Sequence, residues 1–301
     1  MPESKVVLIT GSTAGIGRTT ALYLANQGHR VIATGRKVVD LAALKRESSG
    51  HTLDTLLLDV TSSSSIASAA TAIDRITSGY GVDVLINNAG FGILGPTSEI
   101  NDAEMRRQYD TNVFGLMSVT RAFLPKMMQR RSGRIINVSS VGGRITLPYC
   151  GVYNSTKYAI ESLSDSLRYE LRPFGIDVAL IEPGVIRTNF EATAVKGMGR
   201  FAATAYATAL RNYDKMSKSA DKCAAQPIVV AKAIARAVNA RRASARYVAP
   251  RRNYLVLGLS AVLPRFVWDY LMRKAGYLAP KYLADAAAVA GGDRQSGFGA
   301  A

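Results

Sequence analysis

A phenol and an ammonium stand four residues apart in VYNSTKYAI (152–160). They are Tyr153 and Lys157, followed at helical spacing by Ala159, Ile160, Leu163, Leu167 and Leu171. Four residues is about one helical turn, so the two groups share a helix face. A phenol with an ordinary pKa near about 10 is a poor proton donor or acceptor at neutral pH, and a neighbouring ammonium stabilises the phenolate and lowers that value. The pair reads as a proton-transfer centre in which Lys157 tunes Tyr153. Upstream, RIINVSS ends in Ser139 and Ser140. Serines at the carboxyl end of a strand lie where open α/β sheets bind ligands. The Ser140 hydroxyl could donate to a substrate oxygen as charge develops there, while Ser139 points the other way because side chains alternate along a strand.

Such groups need a frame. Short apolar runs alternate with longer helical patterns: KVVLIT, then a helix to about Gln27; RVIAT, then a helix; TLLLDV, then a helix from about Ser62; and VDVLIN. A long helical stretch follows, then RIINVSS, the segment holding Tyr153, and IDVALIEP. Nearly continuous apolar strands separated by helices predict a parallel sheet covered on both faces. The expected fold is α/β: a single doubly wound, Rossmann-type domain of about seven strands with right-handed crossovers. With 301 residues and 48% apolar content, the chain can bury a sizeable core. The domain is expected to run over 1–290. GGDRQSGFGAA (291–301) has the composition of a disordered tail.

KVVLITGSTAGIGRTTALYLA reads strand, glycine-rich turn, helix, with Gly11, Gly15 and Gly17 spaced G-x-x-x-G-x-G. Glycines here let backbone N–H groups approach a pyrophosphate, and the helix N-terminus faces its charge. The second strand ends in Gly35-Arg36-Lys37, where an NAD site would usually place an acid for the ribose 2′-hydroxyl. Arg36 could instead hold a 2′-phosphate by charge-assisted hydrogen bonds, which favours NADP(H) over NAD(H).

Other chemistries find little support. Cys150 and Cys223 are far apart and match no metal-ligand spacing, so a reduced, cytoplasmic setting without disulfides is expected. MPESKVVLIT has no basic region ahead of a long hydrophobic segment and does not read as a secretory signal. His29 and His51 are paired with no motif serine, which argues against a hydrolase triad. The net charge of +16 is uneven: from Lys222 to Lys274 eleven Lys or Arg face one acid, Asp269. That excess suggests an anionic partner, but no nucleic-acid-binding motif accompanies it.

TGSTAGIG (10–17), NNAG (87–90), Asn112, Ser140, YNSTK (153–157) and EPGVIRT (182–188) together resemble the short-chain dehydrogenase/reductase family, in order and spacing, from residue 5 to about 190. The members it is most similar to are the carbonyl reductases and the hydroxysteroid or retinol dehydrogenases. The resemblance implies a catalytic set of Ser140, Tyr153, Lys157 and Asn112. Tyr153 would exchange a proton with the substrate oxygen, Lys157 would also hold the nicotinamide ribose, and Asn112 would support a water relay to the lysine. It further implies a cofactor site of Thr10, Gly11, Ser12, Gly15, Ile16, Gly17 and Arg36, shared by Tyr153 and Lys157. Asp59 and Val60, at the end of the third strand, would meet the adenine. Asn88, Ala89 and Gly90 would pass under the adenine ribose, with a packing role equally open for Asn87. Pro183 and Gly184 would turn the chain beneath the nicotinamide, and Thr188 would fix its carboxamide.

The segment 189–226 departs from the alternation and corresponds to the family's substrate lid. Its Phe190, Met198, Phe201, Tyr206 and Tyr213 suggest an apolar ligand, though helix packing could claim most of them. Beyond it, an extension over 250–290 holds YLVLGLSAVLPRFVWDYLMRKAGYL, broken by Pro264, Arg265 and Asp269 and too short in uninterrupted apolar residues to span a bilayer. It could cap the pocket, pack on a second subunit or lie on an anionic membrane surface. The expectation is an NADP(H)-dependent reductase of a fairly large apolar ketone or aldehyde, such as a steroid, retinoid or lipid-like carbonyl, acting as a homodimer or homotetramer. An NAD(P)-dependent alcohol dehydrogenase working oxidatively, or a non-catalytic scaffold, stays open.

Overall fold

The computed structural model describes residues 3–48, 50–190, 194, 197–201, 204–212, 224–276 and 278. Seven parallel strands make one sheet in the order β3-β2-β1-β4-β5-β6-β7. They are β1 (Val6–Ile9), β2 (Arg30–Gly35), β3 (Leu53–Leu57), β4 (Val84–Asn87), β5 (Gly133–Val138), β6 (Ile176–Pro183) and β7 (Arg246–Ala249). The order reverses between β1 and β4, which opens the crevice where doubly wound folds bind their ligands.

The strands read as unbroken apolar runs because each side of the sheet has its own core. Val7 and Ile9 of β1, Val31 and Ala33 of β2 and Ile136 of β5 face one way. They meet Ala21 and Leu24 of α1 (Gly15–Asn26) and Val230 and Ile234 of α7 (Pro227–Asn239). Leu8, Ile32 and Ile135, one residue out of phase, face the other way. There they meet α3 (Ser63–Ile76) through Ile73, α5 (Leu116–Gln129) through Phe123 and Met127, and α6 (Gly151–Leu171) through Leu167. A period of two thus divides one apolar run between two cores. Truncating Leu8 to alanine at its fully buried position should cost about 2–5 kcal/mol.

Local signals set the remaining elements. Ser62 caps α3 by accepting from Ser65 N, and Asn101 caps α4 (Asp102–Tyr109) by accepting from Glu104 N. The helix α2 (Val38–Glu47) follows β2 directly. Between α4 and α5 the chain makes a π-turn over Asp110–Gly115. The third strand ends at Leu57, so Asp59 and Val60 stand in the turn after it rather than within it. Pro264 separates two short helices, α8 (Asn253–Val262) and α9 (Arg265–Ala275). Tyr213, Cys223 and the tail from 291 lie outside the described residues.

Candidate active site

The glycine loop follows β1 and leads into α1. Gly11 and Gly15 have φ of +66° and +53°, a region side chains disfavour. A Cβ on Gly17 would lie 2.3 Å from Gly11 O and 2.5 Å from Asn88 Nδ2. No side chain caps α1, and its first turn holds no acid. A backbone cradle without side chains, at an uncapped helix N-terminus free of negative charge, fits a pyrophosphate. Thr10 and Ser12 hold the loop in place. Ser12 is buried, its hydroxyl donating to Ile9 O at 2.8 Å while its N–H donates to Thr34 O at 2.7 Å. Ile16 packs on the α1 side of the core.

Asn88 ties the NNAG segment to this loop. Its Nδ2 donates to Thr10 O and Gly11 O, both at 2.9 Å, while Thr10 Oγ1 accepts from Asn88 N and Ala89 N at 3.0 Å. Its side chain therefore holds the loop. Gly90 stands beside two of the candidate site residues: a Cβ there would lie 3.1 Å from Asn112 Oδ1 and 3.9 Å from Lys157 Nζ. Asn87 has a packing role, donating to Thr120 Oγ1 and Asn137 Oδ1 inside the sheet.

Ser140 lies two residues past β5, and Tyr153 and Lys157 lie on the first turns of α6. The structure brings the three together. The Ser140 hydroxyl lies near enough to the Tyr153 phenol to draw its pKa down, and Lys157 Nζ stands 5.7 Å from the centre of the Tyr153 ring while donating to Val138 O at 2.9 Å. Asn112, in the π-turn, is buried; its amide clasps Phe91 through both N–H and carbonyl and donates to Thr156 Oγ1 at 3.1 Å. Thr156 sits on α6 between Tyr153 and Lys157, so the π-turn is locked to the helix that carries them.

One inference from spacing needs correction. The Tyr153 phenol is pushed up to about 12, not down, because burial outweighs the opposing pull of the nearby Ser140 hydroxyl. Lys157 is itself brought down to about 8 by burial, with Glu161 pulling it up. Enclosure penalises the charged form of both groups, and spacing along a helix carries no information on enclosure.

Behind Lys157 lies a buried ionic cluster that the sequence reading missed. Arg246 Nε stands 3.1 Å from both Glu161 Oε2 and Glu182 Oε1, and its Nη2 reaches Asp165 at 2.6 Å. Arg144 adds a contact to Glu182 at 3.3 Å. Burial pushes Glu161 up to about 7, with Ser139 and Arg246 drawing it down and Glu182 adding to the rise; Glu182 is raised for the same first reason. Ser139 thus points away from Ser140, into this cluster. The available signal was the position of Glu161, one turn after Lys157. Its partners come from β6, β7 and the turn after β5, and only the folded sheet collects them.

At the other end of the crevice Arg36 and Lys37 are exposed beyond β2. Asp59 accepts from Thr61 N and Oγ1, which hold its carboxyl below the usual range, and Arg36 adds to the effect. Val60 is packed beneath the π-turn, against Gly115. Pro183 O accepts from Ser140 Oγ at 3.4 Å, and Gly184 passes so close to Asn253 that a Cβ would lie 2.0 Å from its Nδ2. Thr188 folds back over the glycine loop, its methyl 3.2 Å from where a Gly15 Cβ would be.

The wall beside Tyr153 is apolar. The Phe190 ring lies 5.4 Å from the Tyr153 ring, tilted at 59°. Met198 and Phe201 are buried with Ile93, Leu94, Tyr149 and Val152, and Tyr153 and Tyr206 pack on that cluster. Of the predicted lid residues, Phe190 touches the Tyr153 ring; Met198 and Phe201 pack the wall behind it.

A family model of short chain dehydrogenases matches residues 5–199, and the chain belongs to the short-chain dehydrogenase/reductase family. Among its relatives, the 3-ketodihydrosphingosine reductase of Bacteroides thetaiotaomicron is 40% identical over 189 residues, which are 62% of this chain and 66% of that protein. This chain therefore spans just under two thirds of that reductase's length. The probable short-chain type dehydrogenase/reductase VdlC of Helicobacter pylori is 32% identical over 269 residues, 89% of this chain and 96% of that one. Among solved structures, the closed form of serine dehydrogenase complexed with NADP+ aligns with a TM-score of 0.69 at 30% identity, covering 81% of this chain and 93% of that one. The fold and family place this chain among the oxidoreductases of the CH–OH/C=O class, and solved relatives such as that serine dehydrogenase are complexed with NADP+.

Proposed function

We propose that this chain reduces the ketone or aldehyde of a fairly large apolar substrate, lipid-like in character, using NADP(H). The observation that carries the reading is the gathering of Ser140, Tyr153 and Lys157 at the carboxyl edge of the sheet, with Lys157 Nζ 5.7 Å from the Tyr153 ring and Phe190 walling it. The bound cofactor would supply the hydride that reaches the carbonyl carbon. Ser140 donates to the carbonyl oxygen and holds it beside the phenol. Tyr153 then gives its proton to that oxygen, and the Lys157 ammonium offsets the phenolate charge that results. A phenol raised by burial keeps its proton at neutral pH, as a donor to a carbonyl oxygen must.

The glycine cradle of Gly11, Gly15 and Gly17 would take the pyrophosphate, with Thr188 folded over it. Lys157 would hold the nicotinamide ribose, with Gly90 and Asn112 beside it and Pro183 and Gly184 beneath the ring. The preference for NADP(H) rests on Arg36 standing where an acid would favour NAD(H). The apolar wall supports a lipid-like substrate, as does the likeness to a 3-ketodihydrosphingosine reductase. We assign 1–290 to one domain that includes the lid and the extension, working in the cytoplasm as a homodimer or homotetramer.

The test is a panel of apolar ketones, aldehydes and the matching alcohols, with reduced-nicotinamide absorbance followed for both cofactors. NADPH-dependent loss of a long-chain or polycyclic carbonyl is expected. Tight NADPH binding with no turnover of any carbonyl or alcohol would make the chain a cofactor-binding scaffold instead.

A further inference from the structure

The helices α8 and α9 have two unlike faces. Inward, Leu257 is buried with Ile145 and Val248, and Trp268 packs on that small cluster. Outward, Leu255 is 73%, Val262 76% and Phe266 75% exposed, with Leu259 and Tyr270 also exposed. Leu255, Leu259 and Val262 are four and three residues apart, and Phe266 and Tyr270 four, so each set forms a stripe along its helix. An apolar stripe shared by two adjoining helices marks an interaction surface rather than a scattered exposure. Among the described residues no helix is long and apolar enough to cross a membrane.

Charge selects what covers it. Exposed cations frame the stripe at three places: Arg251 and Arg252 ahead of α8, Arg265 at the turn between the helices, and Arg273 and Lys274 at the end of α9. Asp269, the one acid in the segment 251–276, is held by Arg265 at 3.2 Å. A second copy of this face would set cations against cations. The chain beyond residue 278 offers no net negative charge, with Lys281 and Arg294 against Asp285 and Asp293. An anionic lipid surface meets both demands, with phosphates for the cations and an acyl boundary for the stripe.

We propose that the α8–α9 pair seats this chain on the surface of an anionic bilayer and holds the substrate mouth there. Both ends of the pair are fastened to the candidate site. Asn253, at the start of α8, is pressed against Gly184. After α9, Gly276 O accepts from Tyr149 Oη at 2.7 Å, and Leu278 packs on the apolar cluster that Tyr153 adjoins. A bilayer under the outward face would thus lie beside the apolar wall, where a lipid-like carbonyl could pass in without crossing water. That last step rests on the proposed reductase reading; the docking does not.

Co-sedimentation of the full chain with vesicles decides it, using phosphatidylcholine alone and phosphatidylcholine mixed with phosphatidylglycerol. Binding to the anionic vesicles is expected, at least about ten-fold tighter than to the neutral ones and weakened as salt shortens the Debye length. Leu259→Glu with Phe266→Glu should abolish it, and Arg251→Glu with Arg273→Glu should weaken it at least about ten-fold. All four side chains are exposed, so melting temperature and NADPH affinity should stay unchanged; if the Leu259 and Phe266 variant fails to fold, the arginine variant decides alone. No binding to anionic vesicles overturns the proposal, as does binding indifferent to lipid charge and to both variants. A variant that instead splits an oligomer, without vesicle binding in either form, assigns the face to a second copy. None of these outcomes depends on finding a substrate.

Discussion

Replacing Glu161 with glutamine keeps the size of the side chain and an acceptor oxygen for Arg246, and removes one titration from the cluster behind Lys157. The groups that face Glu161 are Lys157 and Asp165 on α6, Ser139 after β5, Glu182 on β6 and Arg246 on β7, with Arg144 reaching Glu182 from the turn after β5. Burial raises the Glu161 carboxyl from 4.5 to about 7, so the folded protein holds this proton more tightly than the unfolded chain does. The stability this contributes is fully present below the unfolded value and is lost as pH rises through the folded one. Taking those two values, the wild type loses about 2 kcal/mol through Glu161 between about pH 5.5 and about pH 8.5, and Glu161→Gln cannot lose it. Lys157 and the other titrating groups are common to both proteins and largely cancel in the comparison. Urea unfolding at the two pH values should show the variant gaining about 1–2 kcal/mol on the wild type toward the alkaline side. Parallel stability–pH curves for the two proteins would refute the reasoning, since Glu161 would then be ionised across the whole range. Activity gives a second readout. Without the Glu161 charge the Lys157 ammonium loses a supporting partner, so the limb of the pH–rate profile that reports the lysine should move to lower pH.

Tyr153→Phe should leave NADPH binding nearly intact and lower turnover by at least ~100-fold, the scale of losing a general acid; steady-state kinetics beside a binding titration separates the two. Arg36→Asp should weaken NADPH by ~2 kcal/mol or more and NADH much less, since a charge-assisted contact is replaced by repulsion. Equal binding of both cofactors to the wild type would remove that assignment. Gly17→Ala would push a methyl to 2.3 Å from Gly11 O, so cofactor affinity should fall at least about ten-fold, with overpacking costing about 1–3 kcal/mol of stability.

Spacing within single elements made the Tyr153–Lys157 pair, the G-x-x-x-G-x-G turn and the strand runs legible, because each depends on one local repeat: the helical turn, the conformational freedom of glycine, and the alternation of a strand. Six of the seven parallel strands follow from the same local patterns, taken in order along the chain; β7 (Arg246–Ala249) and the reversal that opens the crevice do not, since they depend on long-range pairing. The direction in which Tyr153 is shifted did not follow, since it depends on how much protein surrounds the phenol, and that is a sum over residues far apart in sequence. Asn88 and Asn87 show the same limit. Adjacent in the chain, they divide their work, one bracing the glycine loop and the other the sheet interior, because successive side chains leave β4 toward different neighbours. The cluster of Glu161, Glu182 and Arg246 exists only because β6 and β7 lie side by side beneath α6, and the strand order that puts them there is a long-range choice. For α8 and α9 the sequence could say only that the segment was apolar, basic and broken at Pro264. Tertiary packing decided which stripe turned inward on Leu257 and Trp268 and which was left outward among the arginines.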